Sequence, residues 1–182
     1  MSKSSVQFLG AGYNPHAPFQ PGDFLLLHEP DFVSKMIRVG QRVRYNKDYA
    51  YWNHTVLITS RNGDMIEALK GGVTFGHISK YQDVDYYLVR VNASKEDALE
   101  IVAFANSILA RPPKYGFGVI LSIFFTLLFG WRLVFGRVGT YICSGLVASA
   151  LTRGTAIFDK PPEYMTPADL AKYYNVNPHK RP

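Results

Sequence analysis

The sequence is poor in cysteine: Cys143 is the one thiol in 182 residues. A single cysteine excludes an intramolecular disulfide and any metal cage made of several thiolates. The five histidines show no HExxH spacing, and the Gly-rich stretch GAGYNP lacks the Lys-Ser/Thr ending of a phosphate-binding loop. We therefore expect neither a metal ion nor a cofactor.

Long apolar runs are also lacking at the start of the sequence: MSKSSVQFLGAGYNP contains none of the length that a secretory signal needs, so we expect none. We expect a cytoplasmic location, in a cell or, for a virus-encoded protein, in an infected cell, with peripheral membrane association as an alternative. One apolar segment, 117–135, approaches the length of a bilayer span and holds a single charge, Arg132. Glycine, serine and threonine dilute it, so we favour a buried or partly membrane-inserted helix.

Acidic residues are fewer than basic ones, 14 against 20, and the formal net charge is +6. Part of the excess is local and falls on Lys35, Arg38, Arg42 and Arg44. A solvated basic face is the ordinary interpretation of such a stretch. The functional alternative is contact with an anionic membrane or polymer surface. No zinc-finger, RNA-recognition or helix-turn-helix pattern is present, so we expect no specific nucleic-acid partner.

Length and composition suit one domain, since 182 residues with 47% hydrophobic content can bury a sizeable core. The segment 1–20 is rich in Gly, Pro and Asn, which predicts an irregular lead-in. A single domain is expected over 21–176, followed by a short tail over 177–182.

Apolar, β-branched and aromatic runs predict strands in the first half of the domain, at 24–28, 54–59, 64–69, 72–79 and 84–91. Asn62-Gly63 is a strong hairpin signal between two of them. Helical periodicity predicts helices in the second half, at 94–110, within 141–154 and after Thr166, and a short one is expected within 31–46. The pattern indicates an α+β fold in which a mostly antiparallel sheet of four to six strands packs on helices.

Cys143 stands near the start of a predicted helix, and it shares one apolar face with Leu146, Val147, Ala150 and Leu151. A lone cysteine on such a face is most often a packing residue. A helix start, however, favours a thiolate, because the helix dipole and free backbone amides stabilise negative charge there. A nucleophilic thiol also needs a base within reach and an orienting partner for that base.

His54 and Glu67 fall on the two strands of the predicted hairpin and are candidates for these roles. A two-residue Asn62-Gly63 loop would pair Ile58 with Glu67, which would leave Glu67 about 13 Å along the sheet from His54. A bulge or an earlier turn would bring the two level. Asn53 or a backbone carbonyl is the alternative partner for the imidazole.

Five motifs occur in the order GDFLLL, NHTVLI, MIEALKGGV, YICSGLVASAL and TPADLA. In this order they resemble the circularly permuted branch of NlpC-type papain-like cysteine hydrolases, the YiiX-like family, over 21–172. The resemblance implies a permuted papain-like fold in which the histidine strand precedes the cysteine helix. It also implies Cys143 as nucleophile, His54 as general base and Glu67 as the residue that orients the imidazole. The family usually has Glu after Cys-Ser, where this chain has Gly145.

The resemblance implies a cysteine peptidase or amidase that acts on small peptides, amides or esters, among them cell-wall peptides, through a thioester acyl-enzyme. The backbone amide of Cys143 would help to bind the oxyanion, and Tyr141 and Tyr115 are candidate additional donors. Two alternatives belong to other classes: a catalytically inactive papain-like binding module, and a membrane-associated lipid acyl hydrolase or acyltransferase.

Overall fold

The computed structural model describes residues 6–11 (as backbone), 19–30, 38–39, 42, 49–69, 71–111, 142–154 and 156–177. Its strands are β1 (Val6–Ala11), β2 (Phe24–His28), β3 (His54–Ile58), β4 (Asp64–Leu69), β5 (Gly72–His77) and β6 (Asp85–Val89). Its α-helices in these ranges are α1 (Lys95–Ala110), α2 (Cys143–Leu151) and α3 (Pro167–Tyr173).

The strands form one six-stranded sheet in the order β1-β6-β2-β3-β4-β5, and every neighbouring pair is antiparallel. The predicted α+β class is therefore confirmed, and the strand number falls within the predicted four to six. The predicted starts of the helices at 94–110 and after Thr166 are also confirmed. Ser94 caps α1 and Thr166 caps α3, each by accepting a hydrogen bond from the backbone amide of an aspartate three residues later.

Each face of the sheet carries its own hydrophobic cluster, because successive side chains of a strand point to opposite sides. On one face, Phe24, Leu26 and Leu57 pack with buried residues of the three helices. On the other face, the alternate residues of the same strands, together with Met65 of β4, pack with Ile78 and Tyr81 of a short 3-10 helix over Ile78–Tyr81. The sheet is thus covered on both sides, which explains why β3 is buried along its whole length.

The predicted irregular lead-in is wrong over Val6–Ala11, which forms the edge strand β1. Its register on β6 pairs Val6 with Val89 and Phe8 with Tyr87. The pairing satisfies backbone groups of β6 that would otherwise lie at the edge of the sheet. The glycines and prolines at positions 10, 12, 15 and 18 predicted an irregular segment and concealed the short strand.

The loop between β3 and β4 spans residues 60–63, rather than Asn62-Gly63 alone. The Thr59 amide donates to the carbonyl of Asp64 at 2.8 Å, which closes the loop. Inside the loop, the Ser60 hydroxyl donates to the Asp64 carboxylate at 2.7 Å and accepts from the backbone amides of Asn62 and Asp64, both at 3.2 Å. The Ser60 side chain therefore selects the longer loop.

Two segments predicted from the sequence lie mostly or entirely outside the described residues. The apolar segment 117–135 is one of them. The helix expected within 31–46 is the other, apart from helical backbone at Arg38, Val39 and Arg42. None of the helices in the described ranges has the length and apolar character needed to cross a bilayer.

Gly63→Ala should destabilise the fold by about 1–3 kcal/mol, as measured by denaturant unfolding. Gly63 has a φ of +90°, and an added Cβ would lie 2.5 Å from the Cγ2 of Ile78. Gly71→Ala is the matched control, because a Cβ there meets no atom within 4 Å. The control should change the free energy of unfolding by less than about 0.5 kcal/mol. Equal effects of the two substitutions would contradict the role of Gly63.

Candidate active site

The structure brings His54 and Cys143 together although 88 residues separate them in sequence. His54 is the first residue of β3 and Cys143 is the first residue of α2. The imidazole and the thiol are joined by a hydrogen bond, and both residues are nearly buried, with exposed fractions of 5% and 7%. A base therefore lies within reach of the nucleophile that the sequence predicted.

Two backbone amides, those of Thr55 and Ser144, donate hydrogen bonds to the Cys143 sulfur. The recorded pairing of β3 with β4 lies further along, at Leu57 with Ile66 and at Ile58 with Met65. The backbone amide of Thr55 therefore donates its hydrogen bond to the sulfur of Cys143 and not to β4. The Ser144 amide belongs to the first turn of α2, where backbone N–H groups have no partner within the helix.

These contacts lower the pKa of the Cys143 thiol below its ordinary value. Burial by itself raises that pKa, because it penalises the charged form. The positive charge of His54, a hydrogen bond from its ring and the two backbone amides act in the opposite direction and outweigh burial. The site therefore favours a thiolate paired with an imidazolium.

Glu67 lies on the other side of the imidazole. Its Oε2 accepts a hydrogen bond from His54 Nε2 at 2.9 Å, and the exposed fraction of Glu67 is only 2%. Because Nε2 is engaged by Glu67, Nδ1 is the ring nitrogen left for the thiol. Cysteine, histidine and glutamate thus form one continuous hydrogen-bonded chain.

The charges of Cys143, His54 and Glu67 stabilise one another. Burial lowers the pKa of His54, but attraction to the Cys143 thiolate and hydrogen bonds to Cys143 and Glu67 raise it on balance to about 10. Burial raises the pKa of Glu67, but hydrogen bonds from His54, Lys80 and Tyr81 bring it down to about 2. At neutral pH both the imidazolium and the carboxylate are therefore charged.

The loop described above explains why Glu67 reaches His54. Ile58 pairs with Met65, so Glu67 is shifted by two residues from the register of a two-residue loop. It becomes a diagonal neighbour of His54, at a spacing of about 7–8 Å that two long side chains can bridge. The alternative partner, Asn53, binds elsewhere: its side chain accepts from the backbone amide of Glu29 and donates to the Glu29 carbonyl, both at 2.8 Å.

The start of α2 is held against the segment that precedes α3. The Ser144 hydroxyl donates to the carbonyl of Met165 at 2.6 Å. A Cβ on Gly145 would lie 3.3 Å from the carbonyl oxygen of Glu163, so the missing side chain allows close packing there. Close packing against Glu163 thus accounts for a glycine at position 145. Tyr141 and Tyr115, the candidate oxyanion donors, lie outside the described residues.

Sequence reasoning missed two residues at the site, Lys80 and Tyr81. Both donate hydrogen bonds to the Glu67 carboxylate, Lys80 at 2.6 Å and Tyr81 at 2.5 Å. No sequence motif predicted these two residues, because their contact with Glu67 depends on how the 3-10 helix after β5 packs against the hairpin. Within the described ranges, no group of three or more His, Cys, Asp or Glu side chains is arranged to hold a metal ion.

No family model matches the chain, and no curated protein is significantly similar to it in sequence.

Glu67→Gln should lower the free energy of unfolding at neutral pH, and the loss should become smaller in acid. The carboxylate has its pKa lowered from 4.5 to about 2, so its contribution is present above the ordinary pKa and is lost as pH falls toward 2. We expect the wild type to be more stable than the variant by about 2–3 kcal/mol at pH 7.

The measurement is denaturant unfolding over a pH series, with Glu100→Gln, an exposed glutamate of α1, as the control. The stability gap between wild type and Glu67→Gln should narrow below pH 4.5, whereas the control should track the wild type throughout. A gap that stays constant down to pH 2 would show that the Glu67 charge does not stabilise the fold.

Proposed function

We propose that the protein is a thiol hydrolase, an amidase or peptidase, that forms a thioester acyl-enzyme on Cys143. One observation carries the proposal: a buried cysteine at a helix start is hydrogen-bonded to a histidine, which is itself held by a buried carboxylate. A packing cysteine needs neither partner. Such a chain is what an activated thiol nucleophile requires.

In the first half of the reaction, the Cys143 thiolate attacks the carbonyl carbon of an amide or ester. A bond forms between sulfur and carbon, and the carbonyl oxygen takes on negative charge. The backbone amide of Cys143, at the start of α2, is a donor for that oxygen. When the intermediate collapses, the C–N or C–O bond breaks and the His54 imidazolium gives its proton to the departing amine or alcohol.

In the second half, a water molecule attacks the thioester while His54 accepts a proton from it. The C–S bond then breaks, the carboxylic acid product leaves, and the thiolate–imidazolium pair is restored. Glu67 stays ionised throughout and keeps the Nε2–H of the ring directed at its carboxylate. Its role is to hold the ring orientation that leaves Nδ1 facing the sulfur and to stabilise the imidazolium.

The finer assignment of the fold belongs to the same proposal. The antiparallel sheet provides the histidine strand β3, and the cysteine helix α2 comes later in the chain. This order, together with the sequence motifs, supports a permuted papain-like domain of NlpC type. We propose small peptides or other small amides and esters, among them cell-wall peptides, as its substrates.

Cys143 should react quickly with iodoacetamide at neutral pH, and His54→Ala should slow that reaction by about 100-fold or more, since the base and the charge partner are lost. The reaction is followed by intact mass, which is unambiguous because the chain has a single cysteine. Ser149→Ala, a substitution on α2 away from the thiol, is the control and should react like the wild type.

Incubation with a library of amides and esters should then leave an acyl group on Cys143, and the added mass identifies the acyl part. Short peptidyl or small acyl groups support the proposed function, whereas a long-chain acyl group would point to the lipid acyl hydrolase instead. A wild-type thiol that reacts no faster than a free cysteine would overturn the proposal in favour of an inactive binding module.

A further inference from the structure

The Glu67 carboxylate accepts more hydrogen bonds than the proposed reaction requires. Its Oε2 accepts from His54 Nε2 at 2.9 Å and from the Tyr81 hydroxyl at 2.5 Å. Its Oε1 accepts from Lys80 Nζ at 2.6 Å. Orienting an imidazole takes one of these bonds, so the two others call for a separate physical explanation.

Lys80 and Tyr81 are the last two residues of the short 3-10 helix over Ile78–Tyr81, and hydrogen bonds connect the start of this helix to the loop between β3 and β4. The backbone amide of Ile78 donates to the carbonyl of Gly63 at 2.9 Å. His77, the N-cap, bonds through Nε2 to the carbonyl of Asn62 at 2.8 Å. The loop that sets the register of Glu67 therefore also supports the helix that carries its two extra donors.

The two donors differ in exposure. Tyr81 is 2% exposed and belongs to the hydrophobic cluster beneath the hairpin, whereas the Lys80 side chain is 46% exposed. Lys80 thus brings a positive charge from the solvent side to a carboxylate that is itself 2% exposed. Ion pairs between two exposed groups contribute little, but here one partner is desolvated.

The other groups that face His54 all favour the protonated ring. They are the Cys143 thiolate from α2, the Glu67 carboxylate from β4 and, through its charge, Glu29 after β2. The Tyr81 ring, 6.1 Å away between centroids, stays neutral at neutral pH because burial and Glu67 raise the pKa of its hydroxyl. When the ring acts as a general acid, the sulfur is already bonded to the substrate, but the charges of Glu67 and Glu29 remain and oppose release of the proton.

We propose that Lys80 and Tyr81 are positioning residues: they fix Glu67 with Oε2 toward His54 and withdraw negative charge from it, so that the imidazolium can release its proton. The inference rests on the proposed function and deepens it, because it names what regulates the acidity of the site. Lys80 acts through its charge on Oε1, and Tyr81 acts by sharing Oε2 with the imidazole.

Lys80→Met tests the inference, since Lys80 is exposed and its loss should leave the fold intact. With the positive charge removed, we expect the titration of the His54 ring, followed by NMR, to move to higher pH by about half a unit. The pH at which Cys143 becomes reactive to iodoacetamide should move in the same direction. Lys80→Arg keeps the charge and should restore the wild-type titration.

Glu67→Gln provides a contrast of opposite sign, because it removes negative charge next to His54 and should move the same titration to lower pH. Tyr81→Phe should move it upward, as Lys80→Met does. If Tyr81→Phe unfolds, the pair Lys80→Met and Lys80→Arg still decides the question. A Lys80→Met titration identical to that of the wild type, or an Arg variant that behaves like Met, would overturn the inference.

Failure of this inference and failure of the proposed function are distinguishable. A wild-type Cys143 that reacts like a free thiol would refute the proposed function, whatever the Lys80 variants do. A fast-reacting Cys143 with an unshifted His54 titration in Lys80→Met would refute the positioning role alone. Denaturant unfolding of each variant serves as the reference, because a purely structural role would change stability without moving the titration.

Discussion

The hydrogen bond between His54 and Glu67 is the interaction on which the rest of the site depends. A buried carboxylate is costly unless it is paired, and a buried imidazolium has the same need. At 2.9 Å each group compensates the other, and the Cys143 thiolate completes the alternation of charge. Removing any one of the three would leave the others uncompensated, so the site is organised as a unit rather than as three separate residues.

The constraint behind that bond is the register of a hairpin. Four loop residues, held together by the Ser60 side chain, place Met65 opposite Ile58. Glu67 then lies diagonally from His54 on the same face of the sheet. Because side chains alternate between faces, a shift of two residues keeps the face and changes the distance, whereas a shift of one would send Glu67 to the helix side.

The start of α2 imposes a second constraint, because Cys143 has to lie next to the His54 imidazole although it comes much later in the sequence. The Ser144 hydroxyl ties α2 to the carbonyl of Met165, and Gly145 lets the backbone of Glu163 approach closely. Any side chain at 145 would need room that this backbone occupies. The glycine at this position thus allows close packing between α2 and the segment before α3.

Local patterns in the sequence determined much of the architecture. Periodicity and the turn signal predicted the strands of the hairpin, the helices, and the placement of Cys143 near the beginning of α2. These features depend on residues only a few positions apart, so they can be recognised without knowledge of the fold.

Only the tertiary structure decided the rest. The edge strand β1, the loop length that brings Glu67 to His54, and the bonds from Lys80 and Tyr81 all depend on contacts between separate elements. Register and helix placement are set by hydrogen bonds and packing that no single segment contains. The sequence therefore predicted Cys143, His54 and Glu67 as candidates for nucleophile, base and orienting residue, and the fold determined that the three side chains meet.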